Sequence, residues 1–119
     1  MKDCYITAAG AFLPGEPISN DEVEDYLGKI DGQASRAKAR VLRQNQIRTR
    51  HYAIDKNQNT TISNSGMAAN SIRQAIEKSS LDLNDIELLV TASTQGDLLL
   101  PGFASMVHGE LGTPPCEIA

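Results

Sequence analysis

Residues 86–119 read IELLVTASTQGDLLLPGFASMVHGELGTPPCEIA, and the fold turns on how this stretch divides. IELLVTAS predicts a strand. Its unbroken Leu88, Leu89, Val90 run is the pattern of a strand buried on both faces, as in a parallel sheet. TQGDLLL predicts a loop that carries three leucines, Leu98, Leu99 and Leu100. Pro101 suits the first turn of a helix, Phe103, Met106, Val107 and Leu111 recur on one side of it, and Gly112 stops it. After Pro114 and Pro115, CEIA predicts the start of the next strand.

Upstream, CYITAAGAFLPGEP predicts a strand in which Cys4, Ile6 and Ala8 alternate before Gly10 interrupts and Pro14, Gly15 and Pro17 end it. SNDEVEDYLG predicts a helix, with Ser19 as cap and Glu22 reaching back to the Ser19 amide. Val23, Tyr26 and Leu27 share a face, and Gly28 is the stop. SRAKARVLRQN (35–45) predicts a short helix with Ala37, Val41 and Leu42 inward, and IRTRHYAI a half-exposed edge segment. DKNQNTT predicts a polar loop. From Ser63 to Lys78, Ala68, Ala69, Ile72, Ala75 and Ile76 recur at helical spacing. The order strand, helices, strand, helix, strand points to an α/β layered fold.

At 119 residues the chain fits one small domain. Aromatic residues are only 4% and Trp is absent, so the core has to come from Ile, Leu, Val, Met and Ala. The net charge of −4 argues against a nucleic-acid partner. Cys4 and Cys116 are far apart and show no metal-ligand spacing, which predicts two reduced thiols. No segment approaches the roughly 20 apolar residues of a membrane helix, and ITAAGAFLP is too short for a signal peptide, so the expectation is a cytoplasmic protein without membrane contact. One feature of the layout is unfinished. Fewer than three full strands face at least three amphipathic helices, and the chain stops inside an apolar strand, which predicts a fragment.

Three blocks carry a family resemblance. ITAAGAFLPGEPISNDEVEDYL is similar to the N-terminal strand, loop and capped helix of the type III 3-oxoacyl-(acyl-carrier-protein) synthases, thiolase-fold condensing enzymes of fatty-acid and polyketide synthesis. Ala8 stands where the family's first Gly is usual, while Gly10, Phe12, Leu13 and Pro14 keep the rest. IRTRHYA (47–53) resembles the family's Ile-Arg-x-Arg segment, and residues 82–112 resemble its block of buried strand, Thr/Ser-rich turn, apolar-Pro and helix ending Leu-Gly. The resemblance implies that residues 1–119 form the N-terminal fragment of the first thiolase-like half-domain, with an incomplete central sheet. Between Gly28 and Ile47 the family's Trp and Thr-Gly are missing, which departs from ordinary acyl-CoA priming. That region looks like a subgroup making dialkylresorcinol or aryl-polyene products from carrier-bound acyl chains.

The resemblance implies a decarboxylative Claisen condensation of an acyl thioester with malonyl-acyl carrier protein, run by a Cys, a His and an Asn. CEIA matches the start of the strand that leads to the nucleophile, so Cys116 is packing and no catalytic residue lies in this chain. The implied cofactor set has nothing tightly bound, only acyl-CoA or a carrier's phosphopantetheine as substrate carrier. The implied partners are acyl carrier protein and a second subunit in a homodimer. Substrate-binding candidates are Thr94 in the turn, Leu100 as a pocket wall across the dimer, and its neighbour Phe103. For each of these, packing or a turn hydrogen bond within the same subunit is the plain reading.

Six of the 11 Lys and Arg fall between Arg36 and Arg50. Arg36, Arg40, Arg43 and Gln44 are the candidates for docking the carrier or coenzyme A: guanidinium forks suit phosphate and the field steers an acidic partner, and the resemblance puts Arg40 and Gln44 nearest the family's coenzyme A contact positions. A solvated helix face balanced by the acidic 21–25 stretch is the plain alternative. Two other function classes compete: a nucleic-acid-binding module built on residues 36–50, and a stand-alone scaffold that binds acyl carrier protein. His51 and His108 are read as structural, and no metal cluster or Gly-rich phosphate loop is present in the sequence.

Overall fold

The computed structural model describes residues 3–119, which form two units: Leu13–Ile62, and a second unit joining the segment up to Phe12 with Ser63–Ala119.

The first unit begins with β1 (Ile18–Ser19), which has buried Ile18 and leads into α1 (Val23–Leu27). The Glu22 carboxylate accepts the Ser19 amide at 3.1 Å and the Ser19 hydroxyl at 2.6 Å, so the expected reach-back forms. The helix starts later than the sequence suggests, with Glu22 in the cap position. Gly28 stops it at φ 81°, and its N–H bonds the Glu24 carbonyl.

α2 (Lys38–Asn45) follows and ends on Gln46 in the left-handed region. Glu24 draws α1 and α2 together: its carboxylate meets Lys38 Nζ at 3.2 Å and accepts the Ser35 amide at 2.6 Å. The expected inward face of α2 is only partly realised. Leu42 is half-buried, but Ala37 is exposed and Val41 is 49% exposed. An eight-residue helix with three basic side chains has too little apolar surface to sink into a core. β2 (Thr49–Arg50) then pairs antiparallel with β1, Ile18 opposite Arg50, as the expected edge segment. Asn20 braces this pair, donating to the Ile47 carbonyl and accepting from Arg50.

The second unit holds the core. The strand expected over residues 4–17 is absent: from Asp3 to Pro17 there is no strand, and the first one falls at Ile18. Residues 9–12 lie on a helix instead of beside a strand. The Phe12 amide donates to Ser71 Oγ at 3.2 Å, and Lys78 Nζ reaches the Ala9 carbonyl. Gly10 permits the approach, since a Cβ there would stand 2.6 Å from the Ala75 backbone nitrogen.

That helix is α3 (Asn64–Glu77), close to the expected span, with the Ser63 hydroxyl accepting the Gly66 amide at 3.0 Å. A 3₁₀ turn (Leu83–Asp85), closed by reciprocal Asp82 and Asp85 bonds, leads to β3 (Leu88–Leu89). α4 (Phe103–Leu111) begins after Gly102 in the cap position, so Pro101 lies just outside the helix and not in its first turn. Gly112, at φ 67°, closes it through a bond to the His108 carbonyl. β4 (Glu117–Ile118) returns parallel to β3, with Leu88 opposite Glu117 and Leu89 opposite Ile118. The Thr91 amide bonds the Ala119 carbonyl, and the Ala119 amide bonds the Leu89 carbonyl.

The core is Ala69, Leu89, Val107 and Leu111, with Ile72, Leu83, Phe103 and Cys116 packed around them. Each of Leu89, Val107 and Leu111 contributes about 1.5–3 kcal/mol by leaving water. Burial of β3 on both faces does not occur. Leu89 is 7% exposed, whereas Leu88 is 54% and Val90 66% exposed. Successive strand residues point to opposite faces, and among the described residues only the Leu89 face carries helices.

Gly10→Ala tests the seating of the N-terminal segment on α3. Forcing a Cβ against a helix backbone is expected to cost about 1–3 kcal/mol, read as a lower melting temperature. Gly109→Ala, where a Cβ meets nothing within 4 Å, should be neutral or stabilising.

Candidate functional site

Two places gather the side chains singled out by the sequence, one in each unit.

In the first unit, the N-terminal side of α2 overhangs a concavity of about 460 Å³ lined by Asn20, Asp21, Ser35, Arg36, Lys38, Ala39, Leu42 and Arg43. A neighbouring hollow of about 360 Å³ shares Asn20, Leu42 and Arg43 and adds Gln46, Ile47 and Arg48. Arg36 and Arg43 therefore come together, and Lys38 joins them. Arg40 and Gln44 line neither hollow. They are four apart and share a face of α2, turned about 100° or more from the Lys38–Leu42 face. Among the described residues the only ion pair is Lys38 with Glu24, which leaves the Arg36 and Arg43 guanidiniums without a carboxylate partner. Two uncommitted guanidiniums and an ammonium at one hollow suit a phosphate or a carboxylate-rich surface.

Beside them the sequence reading missed an apolar groove of about 280 Å³ lined by Val23, Leu27, Ile30, Val41 and Leu42 among others. Its signal lay in the apolar spacing of Val23 and Leu27 with the isolated Ile30. The Glu24 carboxyl at its rim is held below its usual range, first by the Ser35 amide and then by Lys38.

In the second unit, residues 90–102 link β3 to α4 without helix or strand. Thr94 is exposed, and its hydroxyl has no recorded partner among the described residues. Leu98 is 63%, Leu99 100% and Leu100 83% exposed. Phe103 differs from them: it packs against the core of its own unit. The residue that organises this loop was not singled out in the sequence. Asp97 accepts the Asn64 amide on Oδ1 at 2.7 Å and the Ser65 amide on Oδ2 at 2.8 Å, the first two N–H groups of α3. Asn64 Nδ2 returns a bond to the Gln95 carbonyl at 3.2 Å. The Ser65 amide, then the Asn64 amide, hold the Asp97 carboxyl below its ordinary value. The available signal was an acidic residue in a loop facing a capped helix start, which one-dimensional spacing does not reveal.

Cys116 is half-buried against the core. The imidazoles engage backbone instead of thiol: His108 Nε2 lies 3.1 Å from the Pro114 carbonyl, and His51 Nδ1 3.1 Å from that of Gly15. Among the described residues no group of three His, Cys, Asp or Glu could hold a metal ion, and no helix is long and apolar enough to cross a membrane.

No family model matches the chain. Over 109 residues it is 32% identical to the beta-ketoacyl-[acyl-carrier-protein] synthase III of Rickettsia akari, covering 92% of this chain and 31% of that protein. Over 112 residues it is 32% identical to the protein of the same name from Neisseria gonorrhoeae, covering 94% and 31%. Among solved structures, the tetronic acid condensing enzyme AbyA1 superposes with a TM-score of 0.74 at 22% identity, covering 93% of this chain and 33% of that one. FabH, the 3-oxoacyl-(acyl carrier protein) synthase III of Pseudomonas aeruginosa PAO1, gives 0.67 at 23% identity, covering 94% and 31%. The chain thus spans about a third of the length of the proteins it matches. Its fold is that of a portion of the thiolase-fold condensing enzymes, as the sequence resemblance implied.

The lowered Asp97 carboxyl sets a direction for pH. Its folded value lies below the ordinary 3.8, so its stabilising contribution is full above that value and is lost as pH falls through the folded one. Thermal melts of the protein and of Asp97→Asn should differ at neutral pH and converge in acid. A difference that stays constant as the pH falls through the folded value of the Asp97 carboxyl would contradict the bond network.

Proposed function

From that fold and that similarity we propose that this chain is the N-terminal part of a 3-oxoacyl-(acyl-carrier-protein) synthase III-like enzyme. The whole protein condenses an acyl thioester with malonyl-acyl carrier protein in fatty-acid or polyketide-type lipid synthesis. In that reaction a Cys thiolate takes the acyl group and releases the carrier thiol. Malonyl decarboxylation then releases CO2 and supplies the carbanion that attacks the acyl thioester, expelling the Cys thiolate, while His and Asn donors stabilise the developing oxyanion. The reacting Cys, His and Asn lie outside these 119 residues. The observation that carries this reading is the parallel β3–α4–β4 unit with Cys116 packed against its core, and with the His108 ring engaged by the Pro114 carbonyl.

Within this scheme the chain supplies docking surface and walls. Arg36, Lys38 and Arg43 meet the phosphate of a phosphopantetheine arm or the acidic face of an acyl carrier protein. Arg40 and Gln44, which lie outside the two hollows, contribute to the wider surface. Loop 94–100 offers Thr94 and Leu100 toward the acyl chain, and the exposed leucines become covered when two subunits of a homodimer meet. Phe103 supports that wall from inside its own unit. The open Arg36–Arg43 hollow, which lacks an aromatic clamp for an adenine, favours carrier-bound acyl donors.

Condensation of acyl thioesters with malonyl-acyl carrier protein, assayed on the protein expressed from its complete reading frame, tests this. Cys116→Ser is expected to keep activity within about twofold of the parent, since it removes no reacting sulfur. Loss of a thousandfold or so, as for a nucleophile, would overturn the assignment. The double change Arg36→Glu and Arg43→Glu should raise the KM for the carrier protein by about tenfold or more with kcat little altered, and Arg40→Glu less so.

A further inference from the structure

Nothing between Val90 and Gly102 is buried, although three leucines lie there. Apolar packing is therefore not what holds this segment. Its ends are fixed, at one side by the Thr91 bond to Ala119 and at the other by α4. Between them, the bonds to the rest of the unit converge on the start of α3: Asp97 to the Asn64 and Ser65 amides, and Asn64 Nδ2 to the Gln95 carbonyl. Ser93 and Gln95 also bond each other, within the loop.

The choice of residue has a physical reason. The first amides of a helix have no partner inside it, and they carry partial positive charge. A carboxylate has two acceptor oxygens for two adjacent N–H groups, where an amide side chain offers one. Gly96 beside it leaves room for the turn: a Cβ there would stand 3.3 Å from the Leu98 carbonyl oxygen and 3.7 Å from the Phe103 ring. The same turn therefore places Asp97 on α3 and sends Leu98–Leu100 outward.

We propose that Asp97 is the positioning residue of this loop: its paired bonds to the first two amides of α3 lock the leucine triplet against the α3 and α4 frame, and so set which acyl chains the site accepts. The second half of this statement rests on the reading in the preceding subsection. The first half does not.

The test uses the protein expressed from its complete reading frame, with Asp97→Ala, Asp97→Asn and, as a comparison, Ser63→Ala. The Ser63 change removes the cap of α3 without touching the loop. Amide hydrogen exchange read by mass spectrometry reports the lock directly. Asp97→Ala should raise exchange across residues 91–100 and at the start of α3, Asp97→Asn should do so in part, and Ser63→Ala only around Gly66. In parallel, the ratio of kcat/KM for long against short acyl thioesters should shift by about tenfold in Asp97→Ala and by less than about twofold in Ser63→Ala. Unchanged exchange over 91–100 in Asp97→Ala overturns the lock. A loosened loop with an unchanged chain-length ratio overturns the selective role. A loosened loop in a protein whose parent condenses nothing supports the lock and overturns the condensing-enzyme reading instead.

Discussion

The second unit depends on one packing event: Leu89 of β3 buried beneath the seam where α3 and α4 meet. Small residues make the seam possible. Ser65, Gly66 and Ala69 on α3 and Ala104 on α4 are buried, which lets Val107 reach full burial between the helices. Two strands of two residues each have little stability of their own, so the parallel β3 and β4 pair exists because the helices cover Leu89. Take that cover away and the register of Leu88 with Glu117 has nothing to hold it.

The functional reading follows from the same seam. α4 is capped by Gly102 and Gly112, so the chain before it has to leave the sheet edge and the chain after it has to return. The outgoing connection is the leucine loop, held by Asp97 at the start of α3. The returning connection passes Pro114, whose carbonyl meets His108, and delivers Cys116 to the core margin. The sulfur serves as packing, and the imidazole is occupied by backbone. The other unit carries a basic hollow, built on a helix too polar to be buried.

Local signals were legible where the residue type carries its own mechanism. The Glu22 reach-back to Ser19, Gly28 and Gly112 as stops, and the Ala and Ile spacing of α3 all read correctly, because such reach-backs, positive-φ glycines and helical periodicity act within a few residues. Reading failed where the outcome depends on a partner elsewhere. Cys4, Ile6 and Ala8 alternate like a strand, yet no strand lies beside them, and Gly10 seats the segment on α3 instead. Leu88, Leu89 and Val90 look doubly buried, but only one face meets helices. In the candidate site, Arg36 and Arg43 were legible as a basic cluster. That Arg40, one turn before Arg43, and Gln44 line neither hollow was not, because the cluster was read by composition. Asp97 was invisible because its partners lie 32 and 33 residues away.

The central claim is that residues 117–119 form a parallel strand against β3, carried there by the core of α3 and α4. Amide exchange measured residue by residue by NMR tests it most directly. The amides of Thr91, Glu117 and Ala119, which bond across the two strands, should be protected together and should lose protection together when Leu89 is shortened to Ala. Exchange of these three at the rate of an unpaired chain, while α3 and α4 remain protected, would contradict the account.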